Sequence, residues 1–158
     1  MSNANILNST EEELSFDLSL EISDLEPDTY YHLSPYITNN PLHFDKIYFE
    51  VEETSGSDAA LFDLVHADGI LIDVNSLNDK NLDLKLSTAN VPSFDPDHIF
   101  LTLRTVTRDY YEYHKTLTLQ EVQPNSPLGS AIPSYTNIER GQGIFVAFTS
   151  KLDSVLVK

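Results

Sequence analysis

The chain has 158 residues, 41% of them hydrophobic and 22% charged, with 25 acidic side chains against nine basic ones and no cysteine. This length suits one domain with a sizeable core, and the composition is globular rather than disordered. The lack of cysteine excludes disulfides, a thiolate nucleophile and zinc–thiolate sites, and no apolar run approaches the ~18 residues of a membrane-spanning helix.

The net charge of −16 is unevenly spread. Residues 1–79 carry 17 acidic groups and a single base, Lys46, whereas residues 80–158 carry eight of each sign. The first half repels a nucleic-acid duplex or an anionic membrane surface, so nucleic-acid binding is not expected. It suits capture of cations or a basic partner, or simply a solvated face that resists aggregation. Met1-Ser2-Asn3-Ala4 resembles a cloning scar, which leaves 5–158 as the expected folded domain.

In chain order, "SFDLSLEI" alternates, with Phe16, Leu18, Leu20 and Ile22 on one side, and predicts a half-buried strand. A turn at Pro27-Asp28 leads to a second strand around Tyr30–Leu33, with Pro35 limiting further pairing. "DKIYFEVEE" alternates again, with Ile47, Phe49 and Val51 inward, before the loop "TSGSD". "LFDLVHADGILIDV" reads as two strands joined at Asp68-Gly69. Leu82, Leu84 and Leu86 share one strand face, and "HIFLTLRTV" predicts a central strand covered on both sides. Asp109 and Glu112 have capping-box spacing, and Tyr110, Tyr113, His114 and Leu117 follow a helical period, predicting a helix over 109–121. "QPNSPLGSAIPSY" is a long loop, and "GIFVAFTS" and "SVLVK" are closing strands. Eight or nine short strands and one late helix make a mainly β chain, an antiparallel β-sandwich or jelly-roll-like domain.

Chemistry-bearing patterns are sparse. The five histidines stand eleven or more residues apart, and there is no zinc-binding, P-loop or serine-hydrolase motif. Asp73, Asn75 and Asp79 alternate as calcium ligands do, but the positions an EF-hand reserves for Gly and Glu hold Asn78 and Leu84. Asp95, Asp97 and His98 form a second candidate metal loop, although Asp-Pro-Asp is equally turn chemistry. With 25 acidic residues, a carboxylate pair at glycosidase spacing arises by chance and points nowhere. The tyrosines are more suggestive: Tyr30, Tyr31, Tyr110, Tyr111 and Tyr113 suit a binding face or sugar stacking, or else fill a helix–sheet seam. Gly141 and Gly143 precede an apolar run and mark a tight turn or bulge, with Asn137 able to cap it. A ligand cradle would have a helix after those glycines, and a strand is expected instead.

"YYEYHKTLTLQ" and "NSPLGSAIPSYTNIERGQGIFVAFTS" resemble the C-terminal signature of the Bacteroidota lipoproteins grouped as domain of unknown function 4249. That signature has a Tyr-rich helix start, an N-P-F-x-x-P segment, S-N-I, and G-x-G-[IV]-F. The counterparts are Tyr110, Tyr111 and Tyr113, then Asn125, Pro127 and Leu128, then Thr136-Asn137-Ile138, and Gly141, Gly143, Ile144 and Phe145. "FDLSLEISDLEPDTYYHL" and "LFDLVHADGILIDV" are similar to earlier parts of the family. Thr136 replaces the usual Ser, Leu128 the Phe, and Val146-Ala147 a glycine pair.

The resemblance implies an exported lipoprotein with an immunoglobulin-like domain ahead of this region, so that the chain corresponds to its C-terminal domain and the lipid anchor lies outside it. It also implies association with a TonB-dependent outer-membrane transporter, and it supplies no catalytic residue or cofactor. The expected function is therefore a non-enzymatic binding or accessory domain at the outer membrane, cell surface or periplasm. A carbohydrate-active or metal-dependent hydrolytic module and a structural spacer or adhesin are the alternatives.

Overall fold

The computed structural model describes residues 3–10, 13–23, 25–40, 43–46, 50–54, 60–64, 69–78, 81–92, 98–122 and 132–156. Within them lie ten strands: β1 (Asn3–Thr10), β2 (Glu13–Ile22), β3 (Tyr30–Asn40), β4 (His43–Lys46), β5 (Glu50–Thr54), β6 (Leu61–Leu64), β7 (Gly69–Asp73), β8 (Leu82–Pro92), β9 (His98–Val106) and β10 (Thr149–Leu156). Helix α1 spans Arg108–Val122, and a 3-10 turn covers Val74–Ser76.

The strands form two antiparallel sheets, one ordered β1-β2-β8-β5 and the other β10-β9-β3-β7-β6, with β4 also paired to β3. Period-two patterning sets how they face. Leu82, Leu84 and Leu86 of β8 are fully buried and meet Tyr31, Leu33, Ile70, Ile72, Ile99 and Leu101 of the other sheet. Each such aliphatic chain contributes about 2 kcal/mol by leaving water, and this shared interior makes the two sheets a sandwich.

The six-stranded sheet is covered on its second face too. There Leu64, Leu71 and Val106 pack beneath Tyr110 and Tyr111 of α1, flanked by Tyr30, Phe62, Ile144 and Val146. The layers thus run sheet, sheet, helix. This explains the apolar run of β9, whose Ile99 and Leu101 face the sandwich while Val106 faces the helix.

Several expectations change. Pro35 does not end its strand: β3 continues to Asn40 and pairs with β9 from Tyr30 to Thr38, Pro35 standing opposite Leu101. On the other flank, pairing with β7 stops at Leu33 and pairing with β4 starts at Tyr36, so the residue lacking an amide proton falls in the gap between neighbours. Asn3 and Ala4, set aside as part of a scar, pair with Ser19 and Leu18. "GIFVAFTS" and "SVLVK" are not two strands, since one strand begins at Thr149 and residues 144–148 join no ladder. The cap of α1 is Thr107, whose Oγ1 accepts the Tyr110 amide at 3.3 Å, rather than Asp109. The hairpin of β6 and β7 is present, with Gly69 at φ +109°. Asp68, Ile47 and Phe49 lie outside the described residues.

Candidate functional site

The five tyrosines singled out in the sequence do not share one surface. Tyr31 is buried in the sandwich, and Tyr110 and Tyr111 are 7% and 4% exposed in the seam beneath α1. Tyr30 and Tyr113 are half-buried, Tyr30 lying 4.8 Å from Tyr111 between ring centroids. Of the two alternatives for Tyr110 and Tyr111, the structure has the helix–sheet seam, because the helix turns both toward the sheet. Burial, with Asp73 nearby, pushes the Tyr111 hydroxyl up to about 12, while Lys115 sits 5.3 Å from its ring centroid.

The signature segment builds a clasp on α1. Asn137 donates from Nδ2 to the carbonyl of Phe145 at 3.0 Å and accepts its amide at Oδ1 at 2.8 Å. The same Nδ2 donates to Asp109 Oδ2 at 2.9 Å, and the Tyr135 hydroxyl donates to Asp109 Oδ1. The Tyr135 hydroxyl first, and Asn137 second, hold the Asp109 carboxyl below its usual range, and the same bond raises Tyr135. Thr136 Oγ1 donates to the Gly143 carbonyl at 2.7 Å and accepts the Ile138 amide at 3.2 Å, a role any side-chain hydroxyl fills, so Thr in place of Ser changes little. Further along, the Tyr135 amide donates to Thr116 Oγ1 of α1 at 3.0 Å, and Gln120 bonds Ser134.

Asn137 is the turn cap the sequence suggested, and Gly143 has the expected positive φ of +104°. Gly141 instead marks a close approach, since a Cβ there would meet Ile138 Cγ2 at 2.7 Å, and Arg140 takes a positive φ of 59°. The clasp also explains the missing strand: Asn137 occupies both backbone groups of Phe145, leaving them unavailable to a ladder.

Side chains alternate along the clasped segment. Ile144 and Val146 pack into the helix–sheet seam, whereas Phe145 projects into solvent at 88% exposure. Ile138 and Phe148 (52% exposed) are also open to solvent. Arg104 stacks on the Phe148 ring at 5.3 Å to its centroid. An aromatic side chain so exposed, on a backbone fixed by two hydrogen bonds to one Asn side chain that is itself tied to Asp109, is the form of a docking residue.

A polar network lies beneath α1 nearby. His32 Nδ1 is 2.9 Å from the Tyr110 hydroxyl and 3.3 Å from Arg104 Nη1, while His32 Nε2 is 3.0 Å from Ser34 Oγ. A guanidinium can only donate, so Nδ1 accepts and Nε2 carries the proton that it shares with Ser34. A serine nucleophile needs the opposite arrangement, with a bare nitrogen to take its proton. The geometry is that of a satisfied buried tie between sheet and helix. "YYHLSPY" carried its signal: two polar residues two apart on an otherwise apolar strand face.

A separate cleft of about 430 Å³ opens at one end of the sandwich, with Leu25, Tyr31 and Leu103 in its wall and Glu26 and Lys151 on its rim. Among the described residues no three His, Asp or Glu side chains gather as a metal site. Asp95 and Asp97 lie outside those residues, and His98 is the first residue of β9. Asp73 caps the 3-10 turn, accepting the Asn75 amide at 3.0 Å and the Ser76 hydroxyl at 3.2 Å. Asn75 in turn accepts the Asp28 amide at 3.2 Å, so these oxygens serve the turn.

Fold and site define a two-sheet β-sandwich buttressed by one helix, with a hydrogen-bonded clasp that presents aromatic side chains. A family model described as a domain of unknown function (DUF4249) matches residues 2–153, and the chain belongs to that family. No curated protein and no solved structure matches it.

Proposed function

We propose that this chain is a non-enzymatic binding or accessory domain of a Bacteroidota cell-envelope lipoprotein, docking on a TonB-dependent outer-membrane transporter. The observation that carries a docking role is Phe145. In the signature segment Thr136, Asn137, Ile144 and Val146 all have internal partners, whereas Phe145 has its backbone held and its ring in solvent. Rigid aromatic side chains at low entropic cost are the usual anchors of protein interfaces. Among the described residues no helix is long and apolar enough to cross a membrane; in this reading a lipid anchor provides the attachment at the outer membrane, cell surface or periplasm.

The test is recovery of the tagged full-length lipoprotein from its native outer membranes, as wild type and as Phe145→Ser. Near-stoichiometric co-elution of one transporter, lost on Phe145→Ser at unchanged melting temperature, is the expected result. Elution of the wild type alone refutes the complex. Binding of a glycan or divalent ion by the isolated chain, unaffected by Phe145→Ser, would favour the hydrolytic module, and binding of nothing would favour the spacer.

A further inference from the structure

We propose that β10 is a self-complementary edge through which two copies of this chain pair, antiparallel, about a two-fold axis at Leu152. Among the described residues β10 ends its sheet, pairing in unbroken register with β9 from Thr149 to Leu156. β1 approaches it from the other layer without pairing. Residues 149–154 are all exposed, so neither face of the strand is covered over that stretch, and Leu152 is 64% exposed. A long, regular edge with no proline or bulge is a template for another strand.

The sequence of the edge selects its partner. With Leu152 on the axis, Lys151 falls opposite the partner's Asp153, and Asp153 opposite the partner's Lys151. Ser150 meets the partner's Ser154, and Thr149 the partner's Val155. Two opposite-charge pairs thus flank an apolar centre, which is the cross-strand pattern that favours antiparallel pairing. Such an interface is isologous and closes as a dimer rather than a fibre.

Backbone parity agrees. The Ser154 amide donates to Asp153 Oδ1 at 2.8 Å, which marks the even-numbered backbone groups of β10 as those turned away from β9. Leu152 shares that parity, so on the axis it can exchange both backbone hydrogen bonds with its counterpart. In the single chain the Asp153 carboxylate covers an edge amide; in the dimer it faces a lysine.

The net charge of −16 opposes association, but most of the imbalance lies before residue 80, and in β10 one base balances one acid. At physiological ionic strength, screening over ~8 Å leaves the local pairs as the deciding contacts. Edge pairing over the seven residues from Thr149 to Val155 buries less than a standard interface, so the dimer belongs to the weak, concentration-dependent class.

The test is sedimentation of the 158-residue chain from micromolar to millimolar concentration, with variants at Lys151 and Asp153. Wild type is expected to pass from monomer to dimer. Lys151→Asp and Asp153→Lys should each weaken it about tenfold or more, because like charges then face each other twice. Asp153→Lys is the sharper variant, since it lowers the net negative charge and would strengthen association if bulk repulsion were in control. The double swap, Lys151→Asp with Asp153→Lys, should restore wild-type dimerisation. Circular dichroism melting of each variant separates loss of pairing from loss of fold. A monomer throughout, or a dimer indifferent to either reversal, overturns the proposal and leaves the edge to a strand of another chain.

Discussion

Asn137→Ala is the sharpest probe of the clasp. The substitution removes both hydrogen bonds to the Phe145 backbone, at 3.0 and 2.8 Å, and the one to Asp109. Each neutral bond is worth about 0.5–1 kcal/mol net at an exposed site, so the pair at Phe145 contributes about 1–2 kcal/mol. That corresponds to roughly a five- to thirtyfold rise in the population of the open loop. Hydrogen exchange at the Phe145 amide should accelerate by that factor, while the amide of Leu71, in a buried strand, should follow only the change in global stability. Asn137→Asp makes a finer contrast, because it keeps an oxygen for the Phe145 amide but sets a second carboxylate against Asp109. Its loop should be looser than wild type at neutral pH and tighten on acidification. Unchanged exchange at Phe145 in Asn137→Ala, or Asn137→Asp matching wild type at neutral pH, would refute the clasp as the device that holds the ring out.

Gly69→Ala should be strongly destabilising, by about 3 kcal/mol or more, since its Cβ would fall 2.0 Å from the Leu33 carbonyl oxygen at a φ of +109°; a shift in urea midpoint below about half that size would contradict the geometry. Gly143→Ala has room around it and suffers only the positive φ, so urea unfolding should show a loss of about 1–2 kcal/mol with transporter affinity of the folded protein retained. Tyr111→Ala should cost about 3–5 kcal/mol and leave affinity alone, the reverse of what a surface contact would give. Because the fold raises the Tyr111 hydroxyl from 10.0 to about 12, its stabilisation is intact below pH 10 and is lost as the pH climbs through that window, a decline that Tyr111→Phe should flatten in alkaline melts. Asp109 is the opposite case: its carboxyl is lowered from 3.8, so its stabilisation holds above that pH and disappears as the pH falls through the folded value, and Asp109→Asn should remove this part of the acid sensitivity.

Elements ruled by periodicity were legible in the sequence. Leu82, Leu84 and Leu86 announced a strand face, and the helix predicted over 109–121 is present as Arg108–Val122. What failed were assignments that depend on which of several local partners wins. Asp109 fits a capping box by spacing, but Tyr135 and Asn137 take its oxygens and Thr107 caps the helix. "GIFVAF" alternates like a strand, and it does alternate in burial, yet Asn137 holds the backbone groups a ladder would need. For the tyrosines the sequence left a binding face and a helix–sheet seam both open; a helix over a broad sheet buries more than one stripe, so Tyr111 turns inward beside Tyr110 and both fill the seam. Phe145 could have been singled out as the odd member of an alternating run whose neighbours face in, but only once the seam was known. The Asn137–Phe145 pairing, eight residues apart through two glycines, leaves no periodic trace.

The strand order also fixes when the molecule can fold. The central pairings β2–β8 and β3–β9 join residues 60 to 79 apart in the chain, and the hairpins β1–β2 and β6–β7 are among the few local ones. Loop-closure entropy must therefore be met early for a late return, which places folding among the slow, non-local topologies of milliseconds to seconds. A chain growing from its amino terminus reaches β7 with neither sheet complete, because β8 must enter beside β2 and β9 beside β3. Until residue 106 has emerged, the acidic first half can form its own pairings, β1–β2, β3–β4, β3–β7 and β6–β7, but leaves one edge of β3 open, and its negative charge opposes pairing of that edge with another copy of the same acidic segment.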